Sequence, residues 1–225
     1  MRDPHYTEAW VDALAPYNPM VDLCIRLRIQ RALLHLSNLT RRADAPAVAG
    51  MPSTCKITRA SAANLDALRT LPRAASILLF TPVIIPAGRD EPVEERRNED
   101  PFEPFGRALS RHHKRIRHVP YVTKVGFTDI HEGFISQADA VITVVCEPDR
   151  GKNESMSDQM DFAEQALDAL EGKEANASNA LVLVQCGEDE FRPPVDASFM
   201  NVIESTTYNP EIAKYIAKAI FKAKV

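Results

Sequence analysis

The chain has 225 residues, 45% of them hydrophobic and 26% charged, with a formal net charge of −4 at pH 7 and a pI near 5.9. That length fits one large domain, or one domain with an N-terminal extension, and the composition is that of an ordinary globular protein. A mildly acidic balance gives no general attraction to nucleic acid or anionic lipid, so neither is expected as a partner.

The N-terminus, Met-Arg-Asp-Pro-His-Tyr, has no apolar signal core, and no run reaches membrane-spanning length, so the expected location is intracellular and cytoplasmic. Pro16, Pro19, Pro46 and Pro52 punctuate the first sixty residues. Between them, Met20–Leu39 carries Leu23, Leu27 and Leu34 at helical spacing with Arg26, Arg28 and Arg31 on the other side. We expect an amphipathic helix followed by an Ala/Pro-rich linker, and residues 1–60 are assigned to a helical extension.

From Ser61 the pattern becomes regular. Ser61–Arg69 predicts a short helix capped by Ser61 and stopped by Leu71-Pro72. Ser76–Thr81 predicts a strand. The stretch 86–101 is charged and flanked by prolines, as in a solvated loop. A helix over Phe102–Lys114, a short strand around Ile116–Val122 interrupted by Pro120, and a helix over Asp129–Gln137 follow. In the last of these, Thr128 or Asp129 with Glu132 reads as a capping box. Then come strand Ala140–Cys146, helix Asp158–Leu170, strand Ala180–Gln185, strand Asn201–Ser205 and helix Pro210–Lys222. Three of the strands, at Ser76, Ala140 and Ala180, are apolar on both faces, which belongs to parallel sheets covered by helices on both sides. The expected fold is α/β, a three-layer, flavodoxin-like or Rossmann-like sandwich over 61–225, with a mostly parallel sheet of about five strands.

The chemistry is less legible. Arg111-His-His-Lys-Arg-Ile-Arg-His118 is the basic cluster, readable as an anion site or, more simply, as a solvated helix end. Cys24, Cys55, Cys146 and Cys186 lie far apart with no Cys-x-x-Cys pair, and no His-Glu-x-x-His occurs, so no metal is expected. The 8 glycines form neither a Gly-x-Gly-x-x-Gly nor a Walker loop, so no cofactor is expected, and there is no Gly-x-Ser-x-Gly elbow. Open parallel sheets bind ligands beyond the carboxyl ends of their strands. There the sequence places Thr81, Glu147, Asp149, Gln185, Glu188 and Thr206. Glu147 and Asp149, with His131, are the candidate acid/base groups; Thr81, Gln185, Glu188 and Thr206 are candidate ligand contacts.

Taken in order, Ile77-Leu-Leu-Phe-Thr-Pro-Val-Ile-Ile-Pro86, an acidic loop, Phe102-Glu-Pro-Phe-Gly-Arg-Ala-Leu-Ser-Arg111, a strand ending Val119-Pro-Tyr, Gly126-Phe-Thr-Asp-Ile-His-Glu132 and Ala138-Asp-Ala-Val-Ile-Thr-Val-Val145 form a series. This series resembles the second domain of family 3 glycoside hydrolases, the fungal β-N-acetylglucosaminidase type. The resemblance runs on more weakly to about Ile220. In that family a preceding barrel holds the nucleophilic Asp and, in this branch, the loop His that serves as acid/base. Too few residues precede Ser61 for such a barrel, and the Lys-His-Phe-Pro-Gly stretch it carries is missing. The resemblance therefore implies a glycosidase-like domain without glycosidase catalysis of its own, binding a sugar, another small molecule or a partner protein. Two alternatives stand beside it: a small hydrolase acting on glycosyl bonds through the strand-end carboxylates, and an interaction module docking through the Met20–Leu39 helix.

Overall fold

The structure, a computed structural model, describes residues 54–87, 100–149, 155–173 and 180–221. The predicted helix Met20–Leu39 and most of the acidic 86–101 stretch lie outside these. The described elements are β1 (Cys55–Arg59), α1 (Ala62–Arg69), β2 (Ile77–Pro82), α2 (Glu103–Ser110), β3 (Ile116–Tyr121), α3 (Asp129–Ser136), β4 (Ala140–Cys146), α4 (Met156–Glu171), β5 (Ala180–Cys186), β6 (Val202–Ser205) and α5 (Pro210–Phe221).

They build one sheet in the order β1-β6-β5-β4-β2-β3. The five strands β2 to β6 are parallel, as expected, and β1 joins β6 antiparallel with an irregular register between Ile57 and Arg59. β1 falls in the stretch read as linker. Its five residues, Cys-Lys-Ile-Thr-Arg, are part-polar because only one side of the strand is buried.

Strand residues alternate between two apolar clusters, as a pleat of period two requires. Ile77, Leu79, Ile142, Val144, Val182 and Val184 face α1, α2 and α5. Leu78, Phe80, Val141, Val145, Leu181 and Leu183 face α3 and α4. Two covered faces explain why β2, β4 and β5 are buried at every position.

Local signals set the helix ends. Ser61 Oγ accepts the Asn64 N–H, and Ser155 Oγ accepts that of Asp158, each satisfying a first-turn donor. At α3 the partner of Thr128 is His131, whose Nδ1 accepts the Thr128 N–H at 3.0 Å; Glu132 is not the residue that reaches back. α2 ends at Ser110, four residues short of the predicted Lys114. Apolar periodicity stops at Leu109, and the His113 ring turns instead to the Pro72 carbonyl.

Candidate functional site

The sheet order defines where a ligand would enter. From β2 the chain crosses to β3 on one side and then over to β4 on the other, so the switch point lies between the carboxyl ends of β2 and β4. The two strands pair only as far as Phe80 and Thr143. Beyond that, β4 runs on without β2, and its backbone groups on that edge need other partners.

The chain supplies them itself. The Tyr121 hydroxyl donates to the Val144 carbonyl at 2.9 Å. Gln159 from α4 accepts the Cys146 N–H at 2.8 Å and donates to the Cys146 carbonyl at 2.9 Å. Phe162 stacks on Tyr121 with ring centres 3.7 Å apart and planes 4° from parallel. Above them the segment after β2 pairs with the segment after β4: Pro86 bridges Pro148, Ala87 N–H reaches the Glu147 carbonyl, and Asp149 N–H reaches that of Ile85. The crevice of an open sheet is thereby filled by aromatic rings and an amide and closed by backbone pairing.

The candidate acid/base groups have separate environments. Glu147 is half-buried, and its Oε2 accepts the Glu188 N–H at 3.0 Å. Gly187, at φ +153°, lets the backbone pass so near Glu147 that a Cβ there would come within 2.9 Å of the Glu147 Cβ. Asp149 is half-buried beside the Pro86–Pro148 bridge. His131 sits on the α3–α4 side among Phe80, Phe127 and Phe162, with ring centres 5.0 to 5.7 Å away. Burial lowers its pKa, in keeping with an Nδ1 that accepts a backbone hydrogen bond.

Of the four candidate ligand contacts, Thr81 and Gln185 are buried and Glu188 and Thr206 are exposed. Gln185 Nε2 donates to the Pro193 carbonyl, and the Thr206 N–H donates to Thr54 of the turn before β1. Thr81 Oγ1 lies 2.7 Å from His118 Nε2, and His118 Nδ1 lies 3.4 Å from Asp100 Oδ2. Desolvation lowers the His118 pKa, against the opposing pull of Asp100 and Glu103. Hydroxyl, imidazole and carboxylate stand in the order hydrolases use. Thr81 is fully buried, however, and its hydroxyl ties β2 to β3 out of reach of any acyl group.

Three members of the basic cluster pack against the fold. His112 stacks on Phe221 at 5.3 Å, His113 is buried against Pro72, and the Arg117 guanidinium lies 4.3 Å above the Phe134 ring.

An open depression of about 400 Å³ lies between the turn after β3 and the outer face of α4. The turn is closed by Val125 and Gly126 N–H groups on the Val122 carbonyl, with Gly126 at φ +70°, where a side chain would be strained. Thr123 and Phe162 lie at its base, and the exposed side chains of Lys124, Asp158, Asp161 and Gln165 ring it. None of these was singled out in the sequence as a site residue. Asp158, Asp161 and Gln165 fall at spacings of three and four on the polar side of an amphipathic helix, a pattern shared by any solvated face.

No protein-family model matches the chain, and no curated protein matches it in sequence. Among solved structures the chain is similar to a glycoside hydrolase family 3 beta-N-acetylglucosaminidase from a Paenibacillus species, at 12% identity and a TM-score of 0.41. The likeness covers 84% of this chain and 35% of that one, so this chain spans about a third of its length. It is a distant likeness of fold.

Proposed function

We propose that this chain is a binding domain of the glycosidase second-domain type that carries out no glycoside hydrolysis of its own. Its ligand site lies at the depression beside α4 rather than at the switch point. The ordered motifs from Ile77 to Val145 support the family reading. The observation that carries the functional reading is the closed switch point. There Gln159, Tyr121 and the Pro86–Pro148 bridge occupy the space a substrate would need, and Glu147 accepts a backbone hydrogen bond from Glu188. A retaining glycosidase needs two carboxyls about 5 Å apart across an open cleft, and an inverting one needs a wider gap that admits water. A carboxylate held by its own backbone beneath a closed strand end suits scaffolding better than proton transfer.

The test is turnover of an aryl N-acetylglucosaminide by the purified chain, beside Glu147→Ala and Asp149→Ala. We expect no hydrolysis above the buffer rate from any of the three. Turnover by the parent chain that disappears in either variant would instead establish the small-hydrolase alternative.

A further inference from the structure

We propose that Cys146 and Cys186, opposed across β4 and β5, are an oxidation site: hydrogen peroxide converts them to a reversible disulfide that ties together the carboxyl ends of the two strands. The site is independent of the ligand-binding reading and of any glycoside chemistry.

Register places the thiols. β4 pairs with β5 so that Cys146 stands opposite Cys186. β5 pairs with β6 so that Cys186 stands opposite Ser205, and β6 with β1 so that Ser205 stands opposite Cys55. Residues opposed in a sheet share a face, and all three cysteines belong to the apolar layer under α1, α2 and α5. Neighbouring strands lie about 4.8 Å apart, inside the range of roughly 4.4–6.8 Å between Cα atoms that a disulfide spans. Cys55 is two strands away from Cys186, at about twice that spacing, and out of reach. The Cys146 and Cys186 thiols are hydrogen-bonded to each other. Of the three described cysteines, one pair alone is set to bridge.

Burial selects the product. Cys146 is 1% exposed and Cys186 is fully buried. A sulfinate would put charge into this packed layer, and a mixed disulfide with a bulky thiol would put volume there. A disulfide between the two is neutral and adds no atoms. Burial also pushes the Cys146 thiol pKa up, so thiolate is scarce and the first step is slow. In that step Cys146 gives its proton to water and its sulfur attacks the peroxide. An S–O bond forms, the O–O bond breaks, and hydroxide leaves to become water. The Cys186 thiol then displaces the hydroxyl of the sulfenic acid: the S–S bond forms, the S–O bond breaks, and a second water leaves with the Cys186 proton. Two thiols are oxidised and one peroxide is reduced.

The same geometry makes the bond easy to reduce. Cβ atoms at the strand spacing of about 4.8 Å stand wider than the roughly 3.5–4.5 Å of a relaxed disulfide, so the strand ends must draw together. One residue on, Gly187 already passes so near Glu147 that a Cβ there would overlap it, and that contact resists closure. A disulfide closed against such resistance is strained and labile.

The test treats the folded full chain with hydrogen peroxide until the exposed Met200 is converted to its sulfoxide, which shows that the dose was sufficient. Remaining thiols are then blocked with N-ethylmaleimide in denaturant and the peptides mapped by mass spectrometry. We expect a Cys146–Cys186 cross-link within one chain, Cys55 recovered as the blocked thiol, and both bridged thiols restored by reduced glutathione. Cys55→Ala should leave the yield of cross-link unchanged, and Cys146→Ala should abolish it with an unchanged circular dichroism spectrum. In urea, where register no longer selects partners, the pairing should spread to Cys24 and Cys55.

Recovery of Cys146 and Cys186 as blocked thiols at full Met200 oxidation would overturn the proposal. So would a sulfinic acid at either position, a cross-link that includes Cys55 in the folded chain, or a bridge between chains. A Cys146–Cys186 bond that resists glutathione would overturn its reversibility.

Discussion

Glu147 and Glu188 are joined across the ends of β4 and β5 by a single hydrogen bond, from the Glu188 N–H to Glu147 Oε2 at 3.0 Å. The like charges do not meet; a backbone donor meets a carboxylate. Glu147→Ala should therefore cost about 1 kcal/mol in urea unfolding, below the usual range for a bond to a charged group because the exposed Glu188 N–H can turn to water. Glu147→Gln, which keeps an acceptor, should cost less than half of that. A gain in stability from either variant would contradict the role.

Gly187 is what permits that contact. With φ at +153°, and with the Glu147 Cβ 2.9 Å and the Met156 Sδ 3.1 Å from where a methyl would sit, Gly187→Ala carries both backbone strain and overlap. We expect a loss of about 2–4 kcal/mol, more than the Glu147 side chain itself contributes. Gly126→Ala, at φ +70° with open space around the added methyl, should cost only about 1–2 kcal/mol.

Gln159 replaces a missing strand neighbour. Substitution by Leu leaves both the N–H and the carbonyl of Cys146 buried and unpaired, at about 1–3 kcal/mol each. Gln159→Glu should show a reversed pH response. A protonated carboxyl can both accept and donate here, whereas an ionised one cannot donate and is buried, so its folded pKa is raised. The stability of that variant is fully present below about pH 4.3 and is lost as pH rises through the folded pKa. Chemical denaturation at pH 4.5 and 7.5 distinguishes the two.

Thr143 is fully buried on β4 with a hydroxyl that has no partner. Thr143→Val keeps the shape and removes the unpaired group. Its thermal midpoint should be unchanged or raised, by about 0–1 kcal/mol in stability. A marked loss would show that the hydroxyl has a partner in solution.

Two histidines contribute to the acid response of the parent chain. His118 and His131 both have pKa values lowered by burial, so the unfolded chain binds protons first as pH falls. Their contribution is complete above the unfolded value, about 6.5, and is lost as pH drops from there toward the folded values. At His131 the proton would occupy Nδ1, the acceptor for the Thr128 N–H, and loosen the first turn of α3. The melting temperature should be higher at pH 7.5 than at pH 5.5. His131→Gln, which can still accept at that helix position without titrating, should flatten the difference.

Much of the fold was legible from residues alone, for a physical reason. β2, β4 and β5 are covered on both faces, so each had to be apolar at nearly every position, and Ala140–Cys146 was read to the residue. β1 was not legible: a five-residue, antiparallel edge strand beginning at Cys55 looks like linker unless its partner β6 is known. The site was harder still. Strand-end polar residues were identified by position, but whether Glu147 faces a cleft or a backbone N–H depends on Gly187, forty residues away. Gln159 sits at a buried position of α4 yet reads as one more polar residue between Asp158 and Met160. His131 was weighed as an acid/base group, while its place three residues after Thr128 already suited a helix cap.

Pro120 has one more effect. Among the described residues β3 pairs only with β2 and no strand lies on its outer margin, and at Pro120 that margin has no N–H to offer, while the Arg117 side chain is exposed beside it. A second molecule that tried to extend the sheet there would meet a gap in the donor row and a charge to desolvate. The proline expected to interrupt this strand lies inside it, paired in register with Thr81, because its missing N–H falls on the outer margin. There it works against growth of the sheet by a second molecule at high protein concentration.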